Sequence, residues 1–363
     1  MTIIIFLLVL TVLIFVHELG HFCAAKFFGV RVDEFAIGFP PTIWSRIKGG
    51  TKYMINLVPF GGYVKIFGET PDDLSVKGPD SERSLVNKPK WQQLVILLAG
   101  VFMNFVFAWI LLSFAFNIGL SVAGSEYQKD IKDTTLSLTS VMNDSPADEA
   151  GLQVGDKILS IESGETKITS PNVSDFGNIV SESDGKIIVE YKRKNGTSST
   201  EVIAKNGLVE GKKAIGISMG MVGTVNYGFF RSIYEGGKLT LIQTKEISLG
   251  IGKFIFDVFS FKNGTFKDVS GPVGLAGMIG EARQISLSYF LEFIAIISIN
   301  LAVLNFIPFP ALDGGRALFV IIELIIRKRI KPVIMNWANA IGFMLLMILM
   351  LLVTYKDIIG LIR

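Results

Sequence analysis

The sequence is poor in cysteine, histidine and charge, and each shortage excludes a class of protein. Its single cysteine, Cys23, excludes an intrachain disulfide and any cysteine-based metal cluster. Charged residues make up 18% of the 363 residues, whereas a soluble domain has about 25%. The formal net charge is only +3, which is too small to imply nucleic-acid binding, so we expect no nucleic-acid partner. Because 50% of the residues are hydrophobic, the composition favours a membrane protein.

Four stretches are apolar and long enough to span a bilayer, which takes about 20 residues. They run approximately over Met1–Ala25, Gln92–Leu120, Tyr289–Phe309 and Val333–Tyr355. The first could instead be a signal peptide cleaved near Cys23, but no positive charge precedes its apolar run, which argues against cleavage. We therefore predict a polytopic α-helical membrane protein with four transmembrane helices.

The distribution of Lys and Arg predicts the orientation of these helices, since short loops rich in them stay in the cytoplasm. Segment 31–90 carries nine such residues, and segment 308–332, which we predict to be a short loop, adds five more. Both segments are therefore expected to be cytoplasmic. It follows that both termini and the long segment 121–288 are extracytoplasmic.

Residues 121–222 alternate short strands and helices, as a soluble α+β module does. The pattern predicts a helical turn after Ser145 that ends at Gly151, a strand over Lys157–Ile161, and a hairpin of Lys186–Arg193 with Ser198–Ala204 around Asn195-Gly196. This run resembles a PDZ domain, a fold that binds extended peptides or chain ends by strand addition. The module could equally serve only to exclude bulky substrates.

The predicted domains are 1–120, with helices one and two and a β-hairpin between them; 121–222, the PDZ-like domain; 223–285, an amphipathic linker region; and 286–363, with helices three and four. In the first, Phe35–Pro40, Tyr53–Val58 and Pro59–Ile66 predict short strands and a turn, and Gly68–Lys90 predicts a polar, mobile loop. In the third, Tyr227–Phe259 predicts a helix that lies on the membrane surface or packs under the module.

Residues 17–21 read H-E-x-x-H and contain every histidine of the chain. On a helix, side chains at i and i+4 share one face, so His17 and His21 can reach one zinc ion. Glu18 falls next to that face, where it can take a proton from the attacking water. The motif alone could mark two surface histidines beyond a helix end. Inside a membrane helix, however, an unpaired ionisable residue costs at least about 2.5 kcal/mol, a cost that a metal and a water pocket remove.

A third protein ligand cannot be a histidine, and Asp313 is the candidate. It follows Pro308 and Pro310, which break the third helix, and precedes two glycines. Non-helical backbone at membrane depth must be buried in protein or line a cavity. Helices one and three both run inward, so the two motifs reach the same leaflet. Two histidines and a carboxylate with a fourth position for water form a hydrolytic zinc site, although Asp313 alone would be interpreted as a cap or turn residue.

Together these motifs resemble the site-2 protease family of intramembrane zinc metalloproteases. The resemblance rests on H-E-x-x-H in the first helix and on N-x-x-P-x-P-x-L-D-G at 305–314. It extends over nearly the whole chain, because four further segments are similar to family motifs: Phe35–Pro40, Val58–Gly68, Ala99–Phe105 and Ser270–Gly274. The chain departs in having one PDZ-like module rather than two, and in Val101 where a proline is common.

The resemblance implies that His17, His21 and Asp313 bind Zn2+ and that Glu18 is the catalytic base. It also implies that Asn305 holds the substrate or the developing oxyanion, although a bond between helices would explain this amide equally well. Asn104 is expected to be structural, packing near Gly100.

A membrane helix hides its peptide bonds, so a protease that cuts one must first unwind it. We expect the hairpin to pair with the unwound substrate through an edge strand. The predicted substrate-binding residues are Gly61, Gly62, Tyr63, Val64, Lys65 and Ile66. The resemblance implies, as substrates, single-span membrane proteins already trimmed by another protease, such as an anti-sigma factor, or signal-peptide remnants. The other expected partners are the lipid bilayer and a peptide or chain end at the PDZ-like domain, and the expected location is the bacterial inner membrane.

Two other classes of protein share parts of this pattern. A non-catalytic membrane scaffold with a PDZ-like peptide-binding module would explain the architecture but not His17, Glu18, His21 and Asp313. A transporter with polar groups at broken helices would explain the prolines of the third helix, but the sequence shows no internal repeat to support it. Zinc content distinguishes the scaffold from the protease.

Overall fold

The computed structural model describes residues 2–123, 130, 132–142, 144–183, 185–193, 196–209, 212–260 and 269–362. The chain divides into two compact units. The first comprises Met1–Phe114, Ile233–Gln284 and Phe290–Arg363, and the second comprises Ala115–Ser232 and Ile285–Tyr289. The helices are α1 (Thr2–Phe27), α2 (Asp73–Lys77), α3 (Lys90–Ile118), α4 (Pro146–Glu149), α5 (Val173–Glu182), α6 (Phe229–Phe259), α7 (Pro272–Ile285), α8 (Leu287–Phe306), α9 (Asp313–Ile326) and α10 (Pro332–Ile362).

The strands are β1 (Val32–Lys48), β2 (Thr51–Ile66), β3 (Leu120–Ala123), β4 (Lys132–Val141), β5 (Lys157–Ser163), β6 (Thr166–Thr169), β7 (Lys186–Arg193), β8 (Gly196–Ile203), β9 (Lys205–Val209), β10 (Lys212–Ala214) and β11 (Ile217–Val225). Strands β1 and β2 form one sheet, and β9 and β10 form another. The large sheet has the order β3-β11-β4-β5-β7-β8, with β6 paired to β5.

Four of the described helices are long and apolar enough to cross a membrane, which confirms the predicted number. They are Thr2–Phe27, Lys90–Ile118, Leu287–Phe306 and Pro332–Ile359. At 1.5 Å per residue the shortest of them is about 30 Å long, the thickness of a hydrocarbon core. Small residues allow α3 and α8 to pack closely, because Ala108 and Ala295 are fully buried in one cluster with Leu112 and Ile299.

The segment between α1 and α3 contains more sheet than we predicted. The register places Ile37 of β1 opposite both Ile55 and Gly62 of β2, so the first part of β1 lies between two segments of β2. The second part of β1, from Thr42 to Lys48, pairs with 51–56 and was not predicted as a strand. Residues Gly62–Ile66 therefore have β1 on one side only and form an edge of this sheet, in the part of the chain that the structure describes.

The prediction that segment 308–332 is a loop was wrong, because it contains the four-turn helix α9. Its apolar residues recur at helical spacing and bury Ala317 and Val320. Glu323, on the same face, accepts a hydrogen bond from Lys90 of α3. The segment 68–90, predicted as a mobile loop, likewise contains α2, whose first turn is capped by Asp72.

The second unit contains the strands and turns predicted from its sequence. Ser145 caps α4 by accepting a hydrogen bond from the Asp148 amide, and β7 pairs with β8 along its whole length, which confirms the predicted hairpin. Asn195 of the predicted turn lies outside the described residues. One apolar core, which includes Phe176 of α5, Ile161 of β5 and Val189 of β7, holds the sheet and α5 together.

Candidate metal centre

Two histidines of α1 form the first half of the site. His17 and His21 lie one turn apart on the helix, and each is only 7% exposed. Their ring centroids are 4.9 Å apart, and their Nε2 atoms are 3.2 Å apart. The i, i+4 spacing thus brings two imidazole nitrogens to one point inside the helical bundle, as the sequence predicts.

Asp313 reaches the same point from a break between α8 and α9. Residues 307–312 are not helical, and part of this segment packs against α10. The Ala311 amide donates to the Asn339 side chain, and a Cβ at Gly342 would lie 2.5 Å from the Pro310 oxygen. A Cβ at position 314 would lie 2.3 Å from the Phe306 oxygen, so this turn requires glycine after the aspartate. Contacts with α8 and α10 therefore support the non-helical backbone that carries Asp313.

The three side chains have the spacing of metal ligands. Asp313 Oδ2 lies 2.9 Å from His17 Nε2 and 3.2 Å from His21 Nε2. In a tetrahedral zinc site with bonds of about 2.0–2.1 Å, ligand atoms are about 3.3 Å apart. The observed distances between the three ligand atoms are close to that value, and the three atoms form the only such group of His, Cys, Asp or Glu found among the described residues.

Gly100 of α3 leaves room for an ion at this point. A Cβ at position 100 would lie 2.4 Å from His21 Nε2 and 2.8 Å from His17 Nε2. The volume that glycine leaves empty therefore adjoins both nitrogens at little more than the length of a Zn–N bond, about 2.0–2.1 Å. The donor set and the space both fit a zinc ion.

The two imidazoles are also oriented through their other nitrogens. His21 Nδ1 lies 2.8 Å from the Ile96 carbonyl oxygen, which can only accept, so Nδ1 carries the proton and Nε2 presents its lone pair. His17 Nδ1 lies 3.1 Å from Nδ2 of the Asn104 side-chain amide, and Asn104 is fully buried. The sequence predicts only a packing role for Asn104, because nothing in the spacing of α3 indicates that this residue faces α1.

Glu18 lies beside this group rather than in it. It is half-buried on α1 and within electrostatic range of His17, His21 and Asp313. It makes no hydrogen bond with any described residue. A carboxylate beside the histidines is where the sequence predicts a general base.

The structure brings part of the predicted hairpin to α1 but leaves Asn305 apart. Thr11 of α1 donates a hydrogen bond to the Pro59 carbonyl, and a Cβ at Gly61 would lie 3.1 Å from the Ile14 side chain. The turn before the edge segment 62–66 thus lies along α1, one to two turns before His17. Asn305 is half-buried in the last turn of α8 and makes no hydrogen bond with any described residue.

Known proteins resemble this chain over nearly its whole length. The model of peptidase family M50 matches residues 5–349. A Clostridium perfringens protein assigned as a zinc metalloprotease is 36% identical, covering 99% of both chains. A Fusobacterium nucleatum protein assigned in the same way is 32% identical, covering 99% of this chain and 98% of its own. The regulator of sigma-W protease RasP of Bacillus subtilis is 29% identical, covering 98% of both chains.

Proposed function

Because the chain belongs to peptidase family M50, the site-2 protease family, and is therefore an intramembrane zinc metalloprotease, we propose that His17, His21 and Asp313 hold its zinc ion and that Glu18 is its catalytic base. The observation that carries this assignment is the convergence of Asp313 Oδ2 and the two Nε2 atoms within 3.2 Å of one another. Glu18 is the carboxylate beside them that makes no hydrogen bond with a described residue.

Each residue of this site has a separate role in the proposed peptide hydrolysis. Held by the three ligands, a zinc ion would serve as a Lewis acid that polarises the substrate carbonyl and increases the acidity of the attacking water. Glu18 takes the proton of that water as its oxygen adds to the carbonyl carbon, and returns it to the leaving amine as the C–N bond breaks. Asn305, at the end of α8, is proposed to hold the substrate backbone through its amide.

The test of this function is zinc content and proteolysis of the full chain in detergent, with a single-span protein as substrate. We expect one zinc ion per chain and a cut inside the substrate's membrane segment, mapped by mass spectrometry. Removing the ion with a chelator should stop cleavage, and added zinc should restore it. A chain that binds no zinc and cuts nothing would support the scaffold instead.

Asn104 is proposed to position His17 for the ion. A ligand histidine that uses Nε2 carries a proton on Nδ1. Asn104 accepts that proton when its side-chain amide is turned about, so that Oδ1, which has no hydrogen-bond partner among the described residues, replaces Nδ2 beside His17 Nδ1. Loss of such a partner typically lowers metal affinity about 10- to 100-fold. We expect this loss in Asn104→Ala and a much smaller one in Asn104→Asp, whose carboxylate also accepts, measured by zinc competition with a chelator. An equal loss of zinc affinity in the two variants would indicate that Asn104 has only a packing role.

The edge of the β1–β2 sheet is proposed to pair with the unwound substrate. The Phe67 amide donates to the Arg31 oxygen at 2.9 Å, towards the β1 side. Since amides alternate along a strand, the Val64 amide faces away from β1 and is open to a substrate strand. Val64→Pro removes this donor at a position where an edge strand tolerates proline.

We expect Val64→Pro to lower kcat/KM about two- to tenfold, the value of one hydrogen bond, while zinc content is unchanged. Val64→Ala is the matched control, because it loses the same side-chain packing but keeps the amide. Cleavage rates that are equal in the two variants would contradict strand pairing.

The chain is an integral membrane protein, and its surroundings follow from the same assignment. We propose that it lies in the bacterial inner membrane with both termini and segment 121–288 outside, because the basic segments 31–90 and 308–332 stay inside. Its proposed substrates are single-span membrane proteins such as anti-sigma factors, and a Bacillus relative is named as a regulator of sigma-W. The strands and α5 of the second unit are proposed to form a PDZ-like domain that binds a peptide or chain end.

A further inference from the structure

An open cleft of about 750 Å3 lies between the last turns of α1 and one face of the β1–β2 sheet. It is separate from the three ligand residues and from Glu18, none of which lines it. Its walls are aromatic and aliphatic, apart from three cationic side chains at one end. These are Lys26, Arg46 and Lys48.

The strand register explains why one wall is apolar. Ile55 lies opposite both Ile37 and Trp44, and Tyr53 lies opposite both Phe35 and Arg46. Residues opposite one another share a face of the sheet, so these two rows form a continuous floor.

The end of α1 closes the other side of the cleft. The Phe22 ring packs edge-on against the Phe35 ring at 5.0 Å and against the Tyr53 ring at 6.0 Å. These contacts hold the helix end and the sheet together around the apolar floor.

The cations mark one end of this floor. Arg46 and Lys48 follow Trp44 along the same face of β1 towards the Gly49-Gly50 turn, and Lys26 lies one helical turn beyond Phe22. None of the three makes an ion pair with any described residue, and no carboxylate is among the residues that line the cleft. The cleft is therefore amphipathic, with three uncompensated positive charges beside an apolar surface.

We propose that this cleft binds one anionic phospholipid of the cytoplasmic leaflet. Its phosphate would contact Lys26, Arg46 and Lys48, and its acyl chains would cover Trp44 and Ile55. Basic pockets at the cytoplasmic ends of membrane helices suit anionic headgroups, and the tryptophan is a side chain typical of the membrane interface. A substrate's cytoplasmic flank fits less well, because such flanks carry an excess of Lys and Arg that this charge repels.

The test compares lipid binding by the full chain in neutral detergent, using native mass spectrometry with phosphatidylglycerol and phosphatidylcholine. We expect the wild type to bind phosphatidylglycerol at least tenfold more tightly, and the double variant Arg46→Gln, Lys48→Gln to lose most of that preference. The control is Lys328→Gln, Lys331→Gln, which removes the same charge from the exposed segment between α9 and α10. It should retain the preference. Zinc content, measured in all three proteins, reports folding separately from lipid binding.

Three results would overturn the proposal. The first is equal affinity of the wild type for the two lipids. The second is an equal loss of lipid preference in the control, which would mean that binding depends only on the net charge of the protein. The third is a double variant that keeps its lipid preference but shows an altered KM for an acidic-flanked substrate, which would make the cleft a substrate site. Each is distinguishable from failure of the protease assignment, because that assignment is tested by zinc content and cleavage without added lipid.

Discussion

Glu18→Gln is expected to keep its zinc ion and to lose nearly all proteolysis. Glutamine has the shape of glutamate but cannot take a proton from the attacking water. Loss of a general base typically lowers the rate about 10²- to 10⁴-fold. The three ligand atoms are untouched by this change, so zinc measured by elemental analysis should equal that of the wild type. Retained zinc together with lost cleavage would show that Glu18 acts in catalysis and not as a zinc ligand.

One other carboxylate near Glu18 could in principle serve as the base. Glu69 is within electrostatic range of Glu18, but it accepts a hydrogen bond from Arg316 of α9 and is thereby held in an ion pair. We therefore expect Glu69→Gln to keep most activity. If Glu18→Gln cuts at the wild-type rate and Glu69→Gln does not, the roles are reversed. Glu246→Gln, the same change at an exposed position of α6, controls for the substitution itself.

The sequence predicts the membrane helices well, because an uninterrupted apolar run of about 20 residues is typical of a helix that spans a bilayer. It also predicts that Asp313 meets the histidines, since two inward-running helices must end in the same leaflet. It fails for α9, where two glycines and the charges Arg316 and Arg327 suggest a loop. The helix forms nonetheless because Ala317, Val320 and the rest of its apolar stripe are buried against the bundle.

Contacts between helices are what sequence spacing cannot supply. H-E-x-x-H gives the common face of His17 and His21, because that face follows from 3.6 residues per turn. Nothing in the spacing of α3 says which of its faces meets α1. Only the packed structure shows that Gly100 adjoins both rings and that Asn104 reaches His17 Nδ1. The role of an orienting residue is therefore a result of tertiary packing.

Gly100→Ala is expected to abolish zinc binding while the helical bundle persists. The added methyl group would lie 2.4 Å from His21 Nε2 and 2.7 Å from His17 Cε1, and so would occupy the space beside both ligand nitrogens. The atoms it meets are the ends of side chains, which can rotate away without moving either helix. Rotation relieves the overlap but separates the nitrogens from Asp313. The measurement is zinc per chain, with the thermal midpoint of unfolding recorded beside it.

Gly20→Ala should instead lower the thermal midpoint of unfolding, because there the added methyl group meets backbone. Its Cβ would lie 2.3 Å from the Ala99 carbonyl oxygen, so α1 and α3 would have to move apart. We expect a lower midpoint of unfolding in Gly20→Ala, and in Gly100→Ala an unchanged midpoint once both proteins are compared without zinc. Gly250→Ala on α6, where a methyl group would meet nothing within 4 Å, should change neither quantity. Full zinc occupancy in Gly100→Ala would contradict the site, because an ion held by these nitrogens has no room beside that methyl group.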